Sequence, residues 1–174
     1  PYPQWSQSVP EVTLQAALQG GEVTTSEVDE PFVLTFIYTS CMTACPVLTQ
    51  ALVRAQRTAT EGGWADEVTF AEITFDPARD DAEALRSYAE ERNVDLDTGT
   101  WYFLRPESTA RAKVVVEDKF GLAFQRTTPE DMDQYMFTHS TLILLVNADG
   151  YVERAYRDGQ AAARNLPDHL TKLR

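Results

Sequence analysis

Cysteine and histidine are scarce in this chain of 174 residues, with two of each. Two cysteines cannot build the disulfide framework that staples a small secreted domain. Lysine is nearly missing as well: Lys113, Lys119 and Lys172 are the only ones, and arginine supplies the rest of the 15 basic residues. Against these stand 27 acidic residues and a formal net charge of −12. That balance excludes nucleic acid and an anionic membrane face as natural partners. An acidic, lysine-poor surface fits a high-salt environment and a GC-rich, arginine-biased genome equally well. No run of about 18 apolar residues occurs, so no helix is expected to span a bilayer. Internal repeats, low-complexity tracts and linkers are missing too. So are a phosphate-binding loop, a serine triad and a paired-carboxylate pattern. A start at Pro1 rather than Met is expected of a processed product whose signal or anchor lies upstream.

What is present is a globular composition, 43% apolar, long enough for one domain over residues 1–174 with its own core. Residues 1–31 carry Pro1, Pro3, Pro10, Gly20-Gly21 and Pro31, with Val12, Leu14 and Ala16 alternating and Val23 after the glycines. That pattern predicts an N-terminal β-hairpin. The continuous apolar run Phe32–Tyr38 reads as a buried strand. A helix is expected from Pro46, with Val47, Leu48, Ala51, Leu52 and Ala55 on one face, ending at Gly62-Gly63. Val68–Phe75 alternates as a second strand that Asp76-Pro77 stops. Asp80 or Asp81 caps the next helix, which carries Ala82, Leu85, Tyr88 and Ala89. Thr100–Leu104 is a third strand. Ser108 caps a helix through Val114, Val115 and Val116, although three β-branched residues oppose it. Thr138–Val146 forms a fourth strand, Asn147-Ala-Asp-Gly150 a turn, and Tyr151–Tyr156 a fifth strand. Gln160–Leu173 closes the chain as a helix interrupted near Pro167. Strands alternating with helices predict the α/β class: a central mixed sheet with parallel pairs, flanked by helices, and an antiparallel final hairpin.

The chemistry gathers in Cys41-Met-Thr-Ala-Cys45-Pro46, directly after the first buried strand. The C-terminal edge of strands is where open α/β sheets place their sites. Cys45 precedes proline, which disfavours helical geometry, so Cys45 is expected near the N-cap and Cys41 in the loop before it. A non-helical loop can close the two sulfurs into a disulfide or hold them apart around one metal ion. The helix start lowers thiol pKa values, and thiolate is both nucleophile and metal ligand. His139 opens an apolar strand and reaches the sulfurs if that strand runs antiparallel to the first, or if a loop crosses over. His169 is expected on the surface. Two thiolates with one imidazole make a small soft site that suits copper or zinc; a three-ligand zinc site with an open fourth position is chemically possible, whereas structural zinc takes four ligands, which this chain does not obviously offer. Of Met42, Met132 and Met136, Met42 is best placed for a weak thioether contact, with loop packing as its plainer role.

The segment Phe36-Ile-Tyr-Thr-Ser-Cys41-Met-Thr-Ala-Cys45-Pro46 resembles the copper-binding loop of the Sco (SenC/PrrC) family. Ile73-Thr-Phe-Asp76-Pro77-Ala-Arg79-Asp80 is similar to that family's Asp-Pro-x-Arg-Asp segment. His139-Ser140, with the apolar run and Asp149-Gly150 after it, is similar to its distal histidine segment. The resemblance covers roughly residues 10–172. It implies a thioredoxin-like fold and copper, Cu(I) or Cu(II), held by Cys41, Cys45 and His139. Asp76 is implied as a neighbour of the site rather than a ligand; a turn and helix-start role is equally open to it. The resemblance also implies an extracytoplasmic domain, tethered at its N-terminus, that serves a partner such as the copper subunit of cytochrome c oxidase or another copper protein. The chain departs from the pattern at Thr138, where the family often has aspartate, in the loop interior Met42-Thr43-Ala44, and at Asp29-Glu30-Pro31.

The first functional reading is therefore a metallochaperone, acting as a monomer and not primarily an enzyme. The second is a thiol-disulfide reductase in which Cys41 attacks and Cys45 resolves. The spacing of three residues between the cysteines departs from the C-x-x-C pattern of general reductases. The third is a thiol peroxidase or redox sensor, which requires an arginine such as Arg79 or Arg126 beside a thiolate.

Overall fold

The computed structural model describes residues 7–174, so Pro1 and Pro3 of the N-terminal segment lie outside it. Among the described residues nine strands form: β1 (Thr13–Ala16), β2 (Glu22–Thr24), β3 (Phe32–Ile37), β4 (Thr69–Thr74), β5 (Thr100–Arg105), β6 (Phe124–Thr127), β7 (Met136–His139), β8 (Ile143–Val146) and β9 (Val152–Tyr156). Four α-helices accompany them: α1 (Ala44–Glu61), α2 (Ala82–Glu91), α3 (Thr109–Lys113) and α4 (Gly159–Thr171). Seven strands share one sheet in the order β2-β1-β5-β4-β3-β8-β9. β3, β4 and β5 are mutually parallel neighbours, while β8 runs antiparallel to β3 and β9 antiparallel to β8. The unit β3-α1-β4 followed by β8-β9-α4 is the core of a thioredoxin-like fold, as the resemblance implied.

The centre of the sheet explains itself from sequence. Every residue of β3 and of β4 is buried, because both faces are covered and a parallel core strand has no solvent side. Their register pairs Phe32 with Thr69 and Ile37 with Thr74, so the two strands end together. Past that shared edge lie the two loops that build the site, Tyr38–Thr43 and Phe75–Asp81. The expected N-terminal hairpin is present. β1 pairs with β2 around Gly20 and Gly21, whose φ values of +80° and +73° demand glycine.

Helix α1 begins at Ala44, two residues earlier than Pro46 suggested. Thr43 is the N-cap, and Cys45 is helical in spite of the proline after it. The first turn tolerates this because its N–H groups have no intrahelical partner, so the missing donor of Pro46 costs nothing there. Gly159, at the start of α4, abuts α1: a Cβ there would lie 2.9 Å from Val47 Cγ1, so a larger residue requires Val47 to shift.

Three expectations need correction. The run Thr138–Val146 is not one strand: β7 ends at His139 and β8 begins at Ile143, and they belong to different sheets. β7 pairs instead with β6 in a separate two-stranded hairpin, Phe124 opposite His139 and Arg126 opposite Phe137. The helix after Ser108 is capped as expected, with Arg111 N–H donating to Ser108 Oγ at 3.1 Å, but α3 stops at Lys113. Val114–Lys119 then winds as a wider π-turn, which relieves the crowding of three consecutive valines. Helix α4 runs unbroken through Pro167, since burial of Ala162, Leu166 and Leu170 outweighs one lost backbone hydrogen bond. Among the described residues no helix is long and apolar enough to cross a membrane.

Candidate metal centre

The site forms where β3 ends. Cys41 lies in the loop after Tyr38, its N–H donating to the Tyr38 carbonyl at 3.1 Å. Cys45 sits one turn into the protein, in the first turn of α1, and its N–H points at Cys41 Sγ at 3.4 Å. One of the free donors at the helix start is thereby spent on sulfur. Both cysteines are buried and neither is in a disulfide.

The loop that carries Cys41 is braced from below by Asp80, which is fully buried. Its carboxylate accepts from Thr39 N–H at 3.0 Å, from Thr39 Oγ1 at 2.5 Å and from Thr74 Oγ1 at 2.6 Å. Sequence offered Asp80 and Asp81 as alternative helix caps. The two divide the work: Asp81 caps α2 by accepting from Ala84 N–H at 2.9 Å, and Asp80 holds the cysteine loop. Nothing in the local pattern marks Asp80 for that role, because its partners lie 41 and 6 residues away.

His139 arrives from the hairpin β6–β7. Its Nε2 lies 3.8 Å from Cys41 Sγ and 3.9 Å from Cys45 Sγ. Its Nδ1 lies 2.9 Å from the Ser140 carbonyl, which can only accept, so Nδ1 carries a proton and Nε2 is the nitrogen that faces the sulfurs. The ring packs against Tyr38 and Phe75, with centroids 5.7 and 5.2 Å away. Phe137, two residues earlier on the same strand face, wedges among Tyr38, Phe75 and Phe124. Tyr38 also receives the Phe137 N–H on its hydroxyl at 3.3 Å. The antiparallel neighbourhood of β3 and β8 does bring the histidine segment to the sulfur edge, but the ring is carried by a crossing hairpin rather than by β8.

The three donor atoms all lie within 4.8 Å of one another. Two donors bonded to one first-row ion at about 2.0–2.3 Å, set about 120° apart, lie roughly 3.7 Å from each other. The observed sulfur–nitrogen separations match that spacing. The donor set is soft, two sulfurs and an imidazole, and its size leaves a coordination position open. The electrostatics are unequal. The Cys45 thiol and, after it, the His139 ring and the Cys45 and Thr43 N–H groups pull the Cys41 pKa well below the usual thiol range, against the effect of burial. Burial, reinforced by the neighbouring Cys41 sulfur, pushes Cys45 up. His139 is pulled down by burial, but its contacts with Cys41 and the Ser140 carbonyl outweigh this and raise it. Of the two thiols, Cys41 is therefore the one more readily ionised.

Other residues singled out from sequence fall elsewhere. Asp76 is buried two residues past the end of β4 and makes no hydrogen bond to the three donors; it accepts from Arg79 Nε at 2.5 Å and from the Tyr135 hydroxyl at 2.8 Å. Met42 is 81% exposed, so it neither packs the loop nor joins the cluster. Met132 is exposed as well. Thr138 lies on the outer strand face, opposite to His139, with its hydroxyl 3.4 Å from the Gln125 carbonyl. His169 is half-buried and stacks on Tyr156, whose hydroxyl is 2.6 Å from its Nδ1. Arg79 and Arg126 are both engaged by the Tyr135 ring.

Comparison with known proteins agrees with this architecture. No curated relative matches the sequence. Among solved structures, a SCO1/SenC family lipoprotein from Bacillus anthracis superposes with a TM-score of 0.75 at 22% identity, covering 97% of this chain and 95% of that one. Bradyrhizobium japonicum ScoI with copper bound gives 0.74 at 20% identity, over 97% of this chain and 100% of that one. Arabidopsis thaliana ScoI with copper bound gives 0.73 at 20% identity, over 95% and 99%. At such identities the likeness establishes the fold. The family model for SCO1/SenC matches residues 16–173, and on that match the chain belongs to the SCO1/SenC family.

Proposed function

We propose that this protein is a copper metallochaperone: Cys41, Cys45 and His139 hold one copper ion, which is passed to a copper protein. The observation that carries the reading is the convergence of two sulfurs and one ring nitrogen from positions about a hundred residues apart onto ion-sized spacing. Two structural relatives that carry copper support it. Three donors leave room for an incoming ligand from the acceptor, and transfer proceeds by such ligand exchange. The acceptor that suits the family is the copper subunit of cytochrome c oxidase. An extracytoplasmic, membrane-associated setting is supported by the Bacillus anthracis relative, a lipoprotein. Acid should release the ion, because a protonated thiol or imidazole cannot ligate.

A second reading, thiol-disulfide exchange, is favoured by one observation, the lowered pKa of Cys41 beside a second free thiol. Cys41 attacks a partner disulfide and Cys45 displaces the mixed disulfide. The partner gains two electrons and two protons, and a Cys41–Cys45 disulfide forms. The thiols' burial restricts this to partners that fit the loop. The third reading, peroxide chemistry, loses its proposed activators, since Arg79 and Arg126 are both held at Tyr135.

The test is a copper titration of reduced protein under anaerobic conditions. One equivalent should bind, and Cu(II) should give a thiolate-to-copper absorption band. Cys41→Ala and Cys45→Ala should abolish the band, and His139→Ala should weaken binding about 10- to 100-fold. Unchanged affinity in His139→Ala would end the three-donor reading.

A further inference from the structure

Only two of the three donors are built into the main sheet and its first helix. The third rides on β6–β7, a two-stranded hairpin with no ladder to the seven-stranded sheet. An isolated two-stranded hairpin is at best marginally stable, so something must hold it at the angle that delivers His139. Phe137 supplies one attachment, near the middle of β7. Phe124 of β6 supplies a second, its ring 5.0 Å from that of Phe75, and a third lies just before β7, at Tyr135.

The Tyr135 ring is gripped on both sides. Arg79 Cζ lies 3.7 Å from the ring centroid and Arg126 Cζ 3.9 Å from it. The two cations come from different places. Arg126 belongs to β6, the hairpin itself, and Arg79 belongs to the loop after β4, on the main body. Each interaction draws on the negative face of the aromatic ring. The Tyr135 hydroxyl donates to Asp76 Oδ1 at 2.8 Å, and the Tyr135 carbonyl accepts from Arg79 Nη1 at 2.9 Å. Arg79 Nε closes the ring of contacts on Asp76 Oδ2 at 2.5 Å. Arg79 Nη2 is buried and has no hydrogen-bond partner, so the guanidinium depends on Asp76 and on Tyr135 for its compensation. Ring, hydroxyl and backbone of one residue are therefore all tied to the main body.

We infer that Tyr135, clasped by Arg79, Arg126 and Asp76, is the positioning residue that latches the hairpin and so sets His139 on the two sulfurs. Three residues separate latch and ligand, a span of about 13 Å of extended chain, with Phe137 as the pivot between them. Released at Tyr135, the strand swings about Phe137, and a small rotation there lifts the ring out of ion-binding range. The latch touches no donor atom. Its effect on copper, which rests on the reading above, passes through His139.

The experiment is a double-mutant cycle on reduced protein with copper as the probe, joined to hydrogen exchange without metal. Tyr135→Leu should weaken copper binding about 10-fold or more, as loss of a residue that orients a ligand does. Tyr135→Phe keeps the stacked ring and should lose less. In a His139→Ala background, Tyr135→Leu should add no further loss, because the residue it positions is gone. Equal losses in both backgrounds would mean a general structural role and overturn the inference, as would wild-type affinity for Tyr135→Leu. The metal-free arm separates the latch from the copper reading. Tyr135→Leu should speed exchange of the β6–β7 amides while those of β3 and β4 keep their rates. If His139→Ala leaves copper affinity unchanged, the copper reading falls, and exchange alone decides the latch. Unchanged exchange at β6–β7 would overturn it on that ground too.

Discussion

Strands β3 and β4 bury all of their residues, whereas β6 and β7 bury one each, Phe124 and Phe137. The first pair sits mid-sheet with a ladder on both sides, and the second pair has only itself. Yet the centre takes donors from both regions. The sulfurs are set by the β3–α1 junction, with Asp80 bracing the loop from beneath. The imidazole is set by a hairpin whose attachments are aromatic contacts and the Tyr135 clasp. For the proposed function, holding copper and then passing it on, that asymmetry is an advantage. Two donors stay preorganised, and the third belongs to an element of low local stability that can open without unfolding the rest.

The comparison breaks first at its strongest point, the sheet. Phe36 is 1% exposed and meets Phe120 edge-on at 5.0 Å. Phe36→Ala should cost about 3–5 kcal/mol of unfolding free energy in urea. A loss below about 1 kcal/mol would show that the centre of the sheet is not the rigid half.

A second prediction uses Glu72, buried mid-β4. Its Oε1 accepts from Thr49 Oγ1 at 2.6 Å, but its Oε2 has no hydrogen-bond partner. Burial raises this carboxyl from 4.5 to about 7, against the pull of the Thr49 hydroxyl. The folded state therefore holds the proton more tightly than the unfolded chain does. The associated stability is fully present below about pH 4.5 and is lost as pH rises through about 7. Glu72→Gln keeps the shape without the charge. It should gain about 3 kcal/mol over the parent at pH 8 and little at pH 4, read as the difference in unfolding free energy at the two pH values. Parallel pH profiles for the two proteins would refute the assignment.

The smallest effect belongs to the hairpin. Phe137→Ala removes the pivot, but its global cost is capped by the free energy of opening β6–β7 alone, expected to be under about 2 kcal/mol. Amide exchange in β6–β7 should quicken while β3 and β4 stay protected. A global loss as large as that of Phe36→Ala would make the hairpin part of the core and erase the contrast.

Much of the central sheet was legible in the chain, because its signals are local. The largely apolar, β-branched and aromatic run 32–38 reads as a core strand, and the glycine pair 20–21 as a turn. The cysteine site was legible for the same reason, since six consecutive residues carry it. The hairpin was not. Phe124–Thr127 shows no alternation that separates it from a loop, and the run 138–146 reads as one strand because nothing between His139 and Ile143 breaks it. Its two halves part because they pair with different strands, which is a long-range fact. Likewise nothing local separates Asp80 from Asp81 as a cap, or reveals that Tyr135 lies between two arginines 56 and 9 positions earlier in the chain.

By itself the sequence determined which elements exist near the core and that two sulfurs stand at a helix start, because those depend on contacts between residues close along the chain. Only the tertiary structure decided that His139 reaches the sulfurs, from which element it does so, and what holds that element in place. Those are distances between segments roughly a hundred residues apart, and they follow from packing around Tyr38, Phe75 and Phe137 rather than from any pattern in the neighbourhood of His139.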